Sequence, residues 1–343
     1  MNSKLNIKYN KVLVIGGAGY LGTVLVQNLL DKGYYIRVLD NFIYGNVYKG
    51  EGLISENLEV FRGDIRHAEV ITEAISGMDA VIHLAAVVGD PAAKLKPELT
   101  METNYVASLM VASACKITGI NKFIYASTCS VYGTGEDKLD EKSPLNPVSL
   151  YARTKISSEE SIMSISDSRF KPTIMRMATL YGYSPRMRFD LVVNTMTMSA
   201  FTEGVIRVFG GSQWRPLLSL KDAAGSYRLA LESDINLTGG QVYNIGSEDQ
   251  NYRISELADE IAGVIHQHSG RKISVITEKS VTDERDYRVS FEKASRDLGF
   301  KAEFTVKDAV IEIWDKLAGG EIKDPSSKVY YNHYFDSSEN IIG

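Results

Sequence analysis

Tyr151 and Lys155 stand four residues apart in Tyr-Ala-Arg-Thr-Lys, and on a helix that spacing puts both side chains on one face. A phenol has a pKa of about 10 and is a poor base near neutrality. An ammonium beside it favours the phenolate. Upstream, Ser127-Thr128-Cys129-Ser130-Val131-Tyr132-Gly133 follows Lys122–Ala126 (KFIYA), which reads as a strand. Thr128 then presents a hydroxyl at the carboxyl edge of a sheet, where open α/β folds hold their ligands. Alone, Tyr-x-x-x-Lys is common on exposed helix faces. The hydroxyl block before it points to chemistry.

A second constellation lies at the start. Ile15-Gly16-Gly17-Ala18-Gly19-Tyr20-Leu21-Gly22 falls between a strand, Lys11–Ile15, and a helix over Tyr20–Leu30. Gly16, Gly19 and Gly22 let the backbone turn sharply and approach a pyrophosphate, which the helix N-terminus at Tyr20 and Leu21 then stabilises. The next strand, Tyr35–Leu39, runs into Asp40, 18 positions after Gly22. That is close to the roughly 20 positions expected for a ribose-binding acid. A carboxylate there accepts the ribose hydroxyls and repels a 2′-phosphate, which favours NAD over NADP. Asn41 follows, and no basic residue stands next to it.

The elements that must position these groups alternate. Strands are expected at Leu58–Phe61, Ala80–His83 and Thr173–Met177, and helices near His67–Ile75, over Pro97–Thr118 and over Leu150–Ser164. This is the pattern of an α/β, doubly wound, mostly parallel (Rossmann) sheet covered on both faces. Regularity fades after Tyr181. We expect an NAD-binding domain over 1–180 and a smaller interleaved cap over 181–343, with segments returning to the first domain.

Bulk properties narrow the class. The chain has 343 residues, 44% hydrophobic and 24% charged, with a net charge of −5. An acidic balance argues against a nucleic-acid partner. No run reaches the roughly 18 apolar residues of a membrane helix, and Met1 to Asn10 lack a signal peptide's apolar run. Two cysteines, Cys115 and Cys129, without paired spacing suit a reducing cytoplasm. His266 and His268 would point to different sides of a helix, and no metal is expected.

The glycine turn, His83-Leu84-Ala85-Ala86, the Ser-Thr-x-x-Val-Tyr-Gly block, Pro147-x-x-x-Tyr151-x-x-x-Lys155 and Leu180-Tyr181-Gly182 occur in order. Together they resemble the sugar-nucleotide epimerase/dehydratase family of extended short-chain dehydrogenases/reductases, from Lys11 to about Phe300. The resemblance implies that Tyr151 exchanges the substrate's hydroxyl proton during hydride transfer. It implies that Lys155 also holds the nicotinamide ribose and that Thr128 orients the reacting oxygen. Asp64 and Ile65 would meet the adenine, and Leu84, Ala85, Ala86 and Asn104 would flank the cofactor. Thr179 stands where family members often carry a substrate-binding asparagine. Arg215 matches a diphosphate-binding arginine, and Arg285 or Arg288 would supply the second contact. Arg186, Arg188 and Asn194 lie in the segment that usually covers the nucleotide.

Relatives that dehydrate across C5 and C6 place an acid pair after the threonine. Here those positions are Cys129 and Ser130, so 4,6-dehydration is disfavoured; Cys129 is expected to be a small packed residue, the alternative being a tuned thiol that acts as the acid for C5 epimerisation. Ser184–Leu191 and Arg285-Asp286-Tyr287 are also similar to a GDP-heptose 4-dehydrogenase. The expected reaction is NAD-linked oxidation of a nucleotide-linked sugar at C4 through a 4-keto species. Epimerase, dehydrogenase and 4-ketoreductase outcomes share these residues. A non-catalytic NAD-binding regulator is the rival, although it would be free to lose Thr128, Tyr151 and Lys155. Val106, Leu109, Met110 and Ala114 widen the apolar arc of the long helix, which points to a homodimer through Pro97–Thr118 and Leu150–Ser164 of each subunit, the alternative being that the cap covers the extra face.

Overall fold

The computed structural model describes residues 9–49, 55–278 and 285–334. Seven strands form one parallel sheet in the order Gln241–Ile245, Thr173–Met177, Lys122–Thr128, Ala80–His83, Lys11–Ile15, Tyr35–Asp40, Leu58–Arg62. The central strands are apolar runs buried on both faces, as helix-covered parallel strands must be. The chain moves outward from Lys11–Ile15 through two strands, then returns to its other side with Ala80–His83. That reversal opens a crevice at the carboxyl ends, between Ile15 and His83.

The helix expected over Pro97–Thr118 is broken into Pro97–Thr100, a π-helical turn Met101–Val106, and Ala107–Thr118. The wider turn releases the Asn104 carbonyl, which accepts from Ser158 Oγ at 2.7 Å, and turns the Asn104 side chain onto Val87. Gly119 then stops the helix in the left-handed region, at φ 82°.

Beyond Tyr181 the chain serves both bodies. Gln241–Ile245 is the sheet's outer strand, and the helix Leu220–Glu232 packs against Tyr20–Asp31. The helices Val192–Glu203, Ile254–Ser269 and Val306–Ala318 close a separate apolar core around Leu217, Leu257 and Trp314. Among the described residues, no helix is long and apolar enough to cross a membrane.

Candidate active site

A cavity of about 740 Å³ runs along the carboxyl ends of the sheet, from the glycine turn to Tyr151. At one end Gly16 adopts φ +83°, and a Cβ there would lie 2.7 Å from the Ala85 nitrogen. At Gly22 a Cβ would lie 2.2 Å from the Gly16 carbonyl oxygen. Side chains at either position would push the strand and helix apart. No side chain caps the helix Tyr20–Asp31, so its first N–H groups are left to a ligand.

Asp40 closes the second strand. Its carboxylate accepts the Ala18 N–H at 3.0 Å and the Phe42 N–H at 2.8 Å, one on each oxygen. Each oxygen keeps a further acceptor position for a ribose hydroxyl. Burial pushes the Asp40 carboxyl up, while those backbone bonds and the Arg186 guanidinium pull it down. Arg186 is itself buried, stacks 4.0 Å over Tyr44 and donates to Asn332 Oδ1 at 2.7 Å. Desolvation pushes that guanidinium down to about 10. Asn332 also donates to the Val88 carbonyl at 3.2 Å, and its own carbonyl accepts from Tyr44. The C-terminal segment thereby straps three loops over this end of the cavity.

At the other end, the helix Leu150–Ser164 begins at Ser149, whose side chain caps the Ala152 N–H. Tyr151 and Lys155 both reach the cavity. Lys155 Nζ donates to the Ala126 carbonyl at 2.8 Å and to Tyr125 Oη at 3.3 Å, which fixes it under the strand end. Burial pushes the Tyr151 phenol up; Lys155 pulls it back down. Thr128 Oγ1 accepts the Ser130 N–H at 3.1 Å and faces the same space. Behind them Glu159 and Arg176 form a buried pair at 2.6 Å, and Ser127 donates to Glu159.

Cys129 is turned away from this space. It is buried against the Arg176 carbonyl, and desolvation pushes its thiol up, so it holds its proton and offers no acid to the cavity. Ser130 is the neighbour that does line it.

The family model described as NAD dependent epimerase/dehydratase matches residues 12–246, most of the chain and all of this constellation. The chain belongs to the NAD-dependent epimerase/dehydratase family. A UDP-glucose 4-epimerase of Corynebacterium glutamicum is 27% identical over 323 residues, covering 88% of this chain and 94% of that protein. A UDP-N-acetyl-alpha-D-glucosaminuronate decarboxylase of Bacillus cytotoxicus is 29% identical over 270 residues, 76% of this chain and 81% of that one. Among solved structures, the UDP-glucuronic acid 4-epimerase of Bacillus cereus with UDP-glucuronic acid and NAD superposes with a TM-score of 0.79. That pair is 27% identical and covers 90% of this chain and 99% of the other.

The residues of this epimerase/dehydratase fit NAD. The glycine cradle has no room for Cβ atoms, helix N–H groups face the turn, and Asp40 retains two acceptor positions. Tyr20, Leu21, Asn41, Asp64, Ile65, Leu84, Ala85 and Ala86 line the same cavity, as do Thr179, Arg188 and Arg285. Four expected contacts stand outside it. Asn104 clamps Val87, bonding its N–H at 2.7 Å and its carbonyl at 2.9 Å, and so shapes the wall without forming it. Asn194 is fully buried and joins Gly182 N, Tyr20 Oη and the Arg188 carbonyl. Arg215 is buried under Tyr287, bonded to the Trp214 and Arg285 carbonyls. Arg288 donates to the Glu136 carbonyl and lies over Trp214. Of the two alternatives, Arg285 reaches the cavity, paired with Asp90 at 3.2 Å. Asp283 and Glu284 lie outside the described residues.

Sequence reasoning passed over Tyr44, Asp90, Tyr227 and Asn332, all of which line the cavity. Asp90, one residue past a glycine and five past Ala85, carried a weak positional signal. Nothing in the local pattern marked the others.

Proposed function

We propose that this enzyme is a 4-epimerase of a UDP-linked hexose, working through a 4-keto sugar with tightly held NAD. One observation carries the reading: Tyr151, Lys155 and Thr128 converge on one cavity wall, and the residues beside Thr128 supply a neutral hydroxyl, Ser130, where dehydration needs an acid. Bound NAD would accept the C4 hydride and return it. Tyr151 takes the 4-hydroxyl proton as the C4–H bond breaks and gives it back when the carbonyl is reduced. Lys155 keeps the phenol's proton labile, and Thr128 orients the oxygen between them. Reduction on the opposite sugar face inverts C4, with no net redox change. The names of the UDP-sugar relatives support the nucleotide.

Arg285, beside Asp90 at the cavity mouth, is assigned the substrate diphosphate, with Arg188 and Thr179 lining the path to it. Arg215 and Arg288 act on it only by supporting the Arg285 segment. The test is direct: incubate the protein with UDP-glucose and follow UDP-galactose by chromatography or NMR. Accumulation of reduced cofactor with a released 4-keto sugar would instead assign the dehydrogenase reading, which the Ser184–Leu191 similarity favours.

We also assign a homodimer in the cytoplasm. Met101 and Val106 on the π-helical turn leave their apolar side chains 39% and 48% exposed, and Leu95, at the end of the preceding helix Asp90–Leu95, is 62% exposed. Light scattering at micromolar concentration should give twice the monomer mass; an active monomer would return that face to solvent. Two free, buried thiols suit a reducing compartment.

A further inference from the structure

Three arginines of the cavity wall are neutralised where they stand: Arg66 by Asp64 at 2.8 Å, Arg188 by Asp190 at 2.9 Å and Arg285 by Asp90 at 3.2 Å. Arg186 lines the same cavity, is only 4% exposed, and has no carboxylate paired with it among the described residues. A buried cation without a counter-ion opposes folding, so one kept against a ligand cavity points to an anion. Its nitrogens are not all engaged. Nη2 donates to Asn332 Oδ1 at 2.7 Å and Nε is closed off. Nη1 makes no hydrogen bond among the described residues and keeps accessible surface.

What holds the guanidinium fixes its place. Ser184, two residues earlier, donates to the Tyr20 carbonyl at 2.8 Å and shares a 2.8 Å hydrogen bond with Thr23. This docks the segment on the first turn of the helix Tyr20–Asp31. Arg186 lies 4.0 Å over the Tyr44 ring, in the loop after Tyr35–Asp40. Asn332 ties it to the Val88 carbonyl at 3.2 Å, in the loop after Ala80–His83. Those two strands flank Lys11–Ile15 on either side in the sheet. The bridge from Tyr44 through Arg186 and Asn332 to Val88 therefore crosses the end of Lys11–Ile15, over the glycine turn and the uncapped helix start. A dinucleotide whose ribose is held by Asp40 has its diphosphate at that turn.

We propose that Arg186 binds the NAD diphosphate from the side opposite the glycine turn, seated there by Asn332 of the C-terminal segment. The assignment rests on NAD as the cofactor and on none of the sugar chemistry, so it stands whether the product is an epimer or a released 4-keto sugar. Nη1 carries two N–H donors, and a diphosphate supplies both the missing charge and the acceptors. Desolvation pushes the guanidinium down to about 10, which still leaves it charged near neutrality.

The experiment is calorimetry on wild type and Arg186→Gln, stripped of any bound dinucleotide and without substrate. NAD and ADP-ribose both carry the diphosphate, and both should bind the variant about ten- to a hundredfold more weakly, the worth of a hydrogen bond to a charged group. Adenosine keeps the ribose but has no phosphate, and ligand-observed NMR should show it binding both proteins equally. NAD affinity within threefold of wild type overturns the proposal. So does an equal loss for adenosine, which would mean that the cavity wall itself had moved. Weaker UDP binding with unchanged NAD affinity gives Arg186 to the substrate instead. Arg186→Lys keeps the charge and should recover part of the loss; a lysine no better than glutamine also overturns the assignment. Asn332→Ala should weaken NAD too, and the double variant no more than Arg186→Gln alone, because the tail acts through Arg186. Additive losses would deny Asn332 that part.

Discussion

Replacing Asp40 by asparagine tests how the cavity chooses its dinucleotide. The carboxylate sits at the second strand's end with its two oxygens on the Ala18 and Phe42 N–H groups, so its position is fixed before any ligand arrives. A 2′-phosphate brings about 1.5 to 2 negative charges to that point. At about 4 Å and an effective dielectric constant near 20, each unit charge is opposed by about 4 kcal/mol. The Arg186 guanidinium acts on the same carboxylate and would attract the phosphate, which offsets part of this. A preference of about 2 kcal/mol for NAD remains, about thirtyfold. Asparagine keeps the shape and one backbone bond and removes the charge, leaving Arg186 to attract the phosphate with Asp190 still opposing it. Calorimetry with both dinucleotides at fixed ionic strength should show the preference shrinking to about threefold or less. NAD itself should bind more weakly. Equal affinities in the wild type, or an undiminished preference in Asp40→Asn, would refute the argument.

Tyr151→Phe should cost on the order of 10²–10⁴ in turnover with NAD affinity retained, as measured by steady-state kinetics beside calorimetry. Because burial holds the proton on Tyr151 and Lys155 opposes that, the oxidation half-reaction should rise with pH. Lys155→Met should move the acid limb to higher pH; an unmoved limb would deny Lys155 its electrostatic role. Glu159→Leu strands the buried Arg176 cation, which would retain its 3.0 Å bond to Tyr132, and should destabilise by about 3–5 kcal/mol. Adding Arg176→Leu should recover most of that in chemical denaturation, and no recovery would show that the loss was one of packing. Asn332→Ala removes the bonds to Arg186 and Val88, so stopped-flow should show faster NAD release; an unchanged rate would mean that the strap does not hold the cofactor.

The sheet and its cofactor end were legible because their signals are local. A strand buried on both faces has to be an apolar run, a turn that crowds Gly16 against Ala85 excludes side chains, and a helix repeat of 3.6 sets Tyr151 over Lys155. The break at Met101–Val106 was hidden because the residues there are ordinary helix formers. What bends the turn is Asn104 reaching Val87, 17 positions away. That Arg285 reaches the cavity while Arg288 and Arg215 stand outside it depended on how the strand Asp286–Val289 pairs with Thr134–Leu139, which no local spacing encodes. Cys129 stood beside Thr128 in sequence, yet the turn Cys129–Tyr132 sends its thiol into the core and Ser130 into the cavity. Tyr227 and Asn332 reach the site from helix and tail positions 76 and 181 residues past Tyr151. Their side chains carry no pattern of their own, and only the packing of distant segments against the sheet's carboxyl edge brings them there.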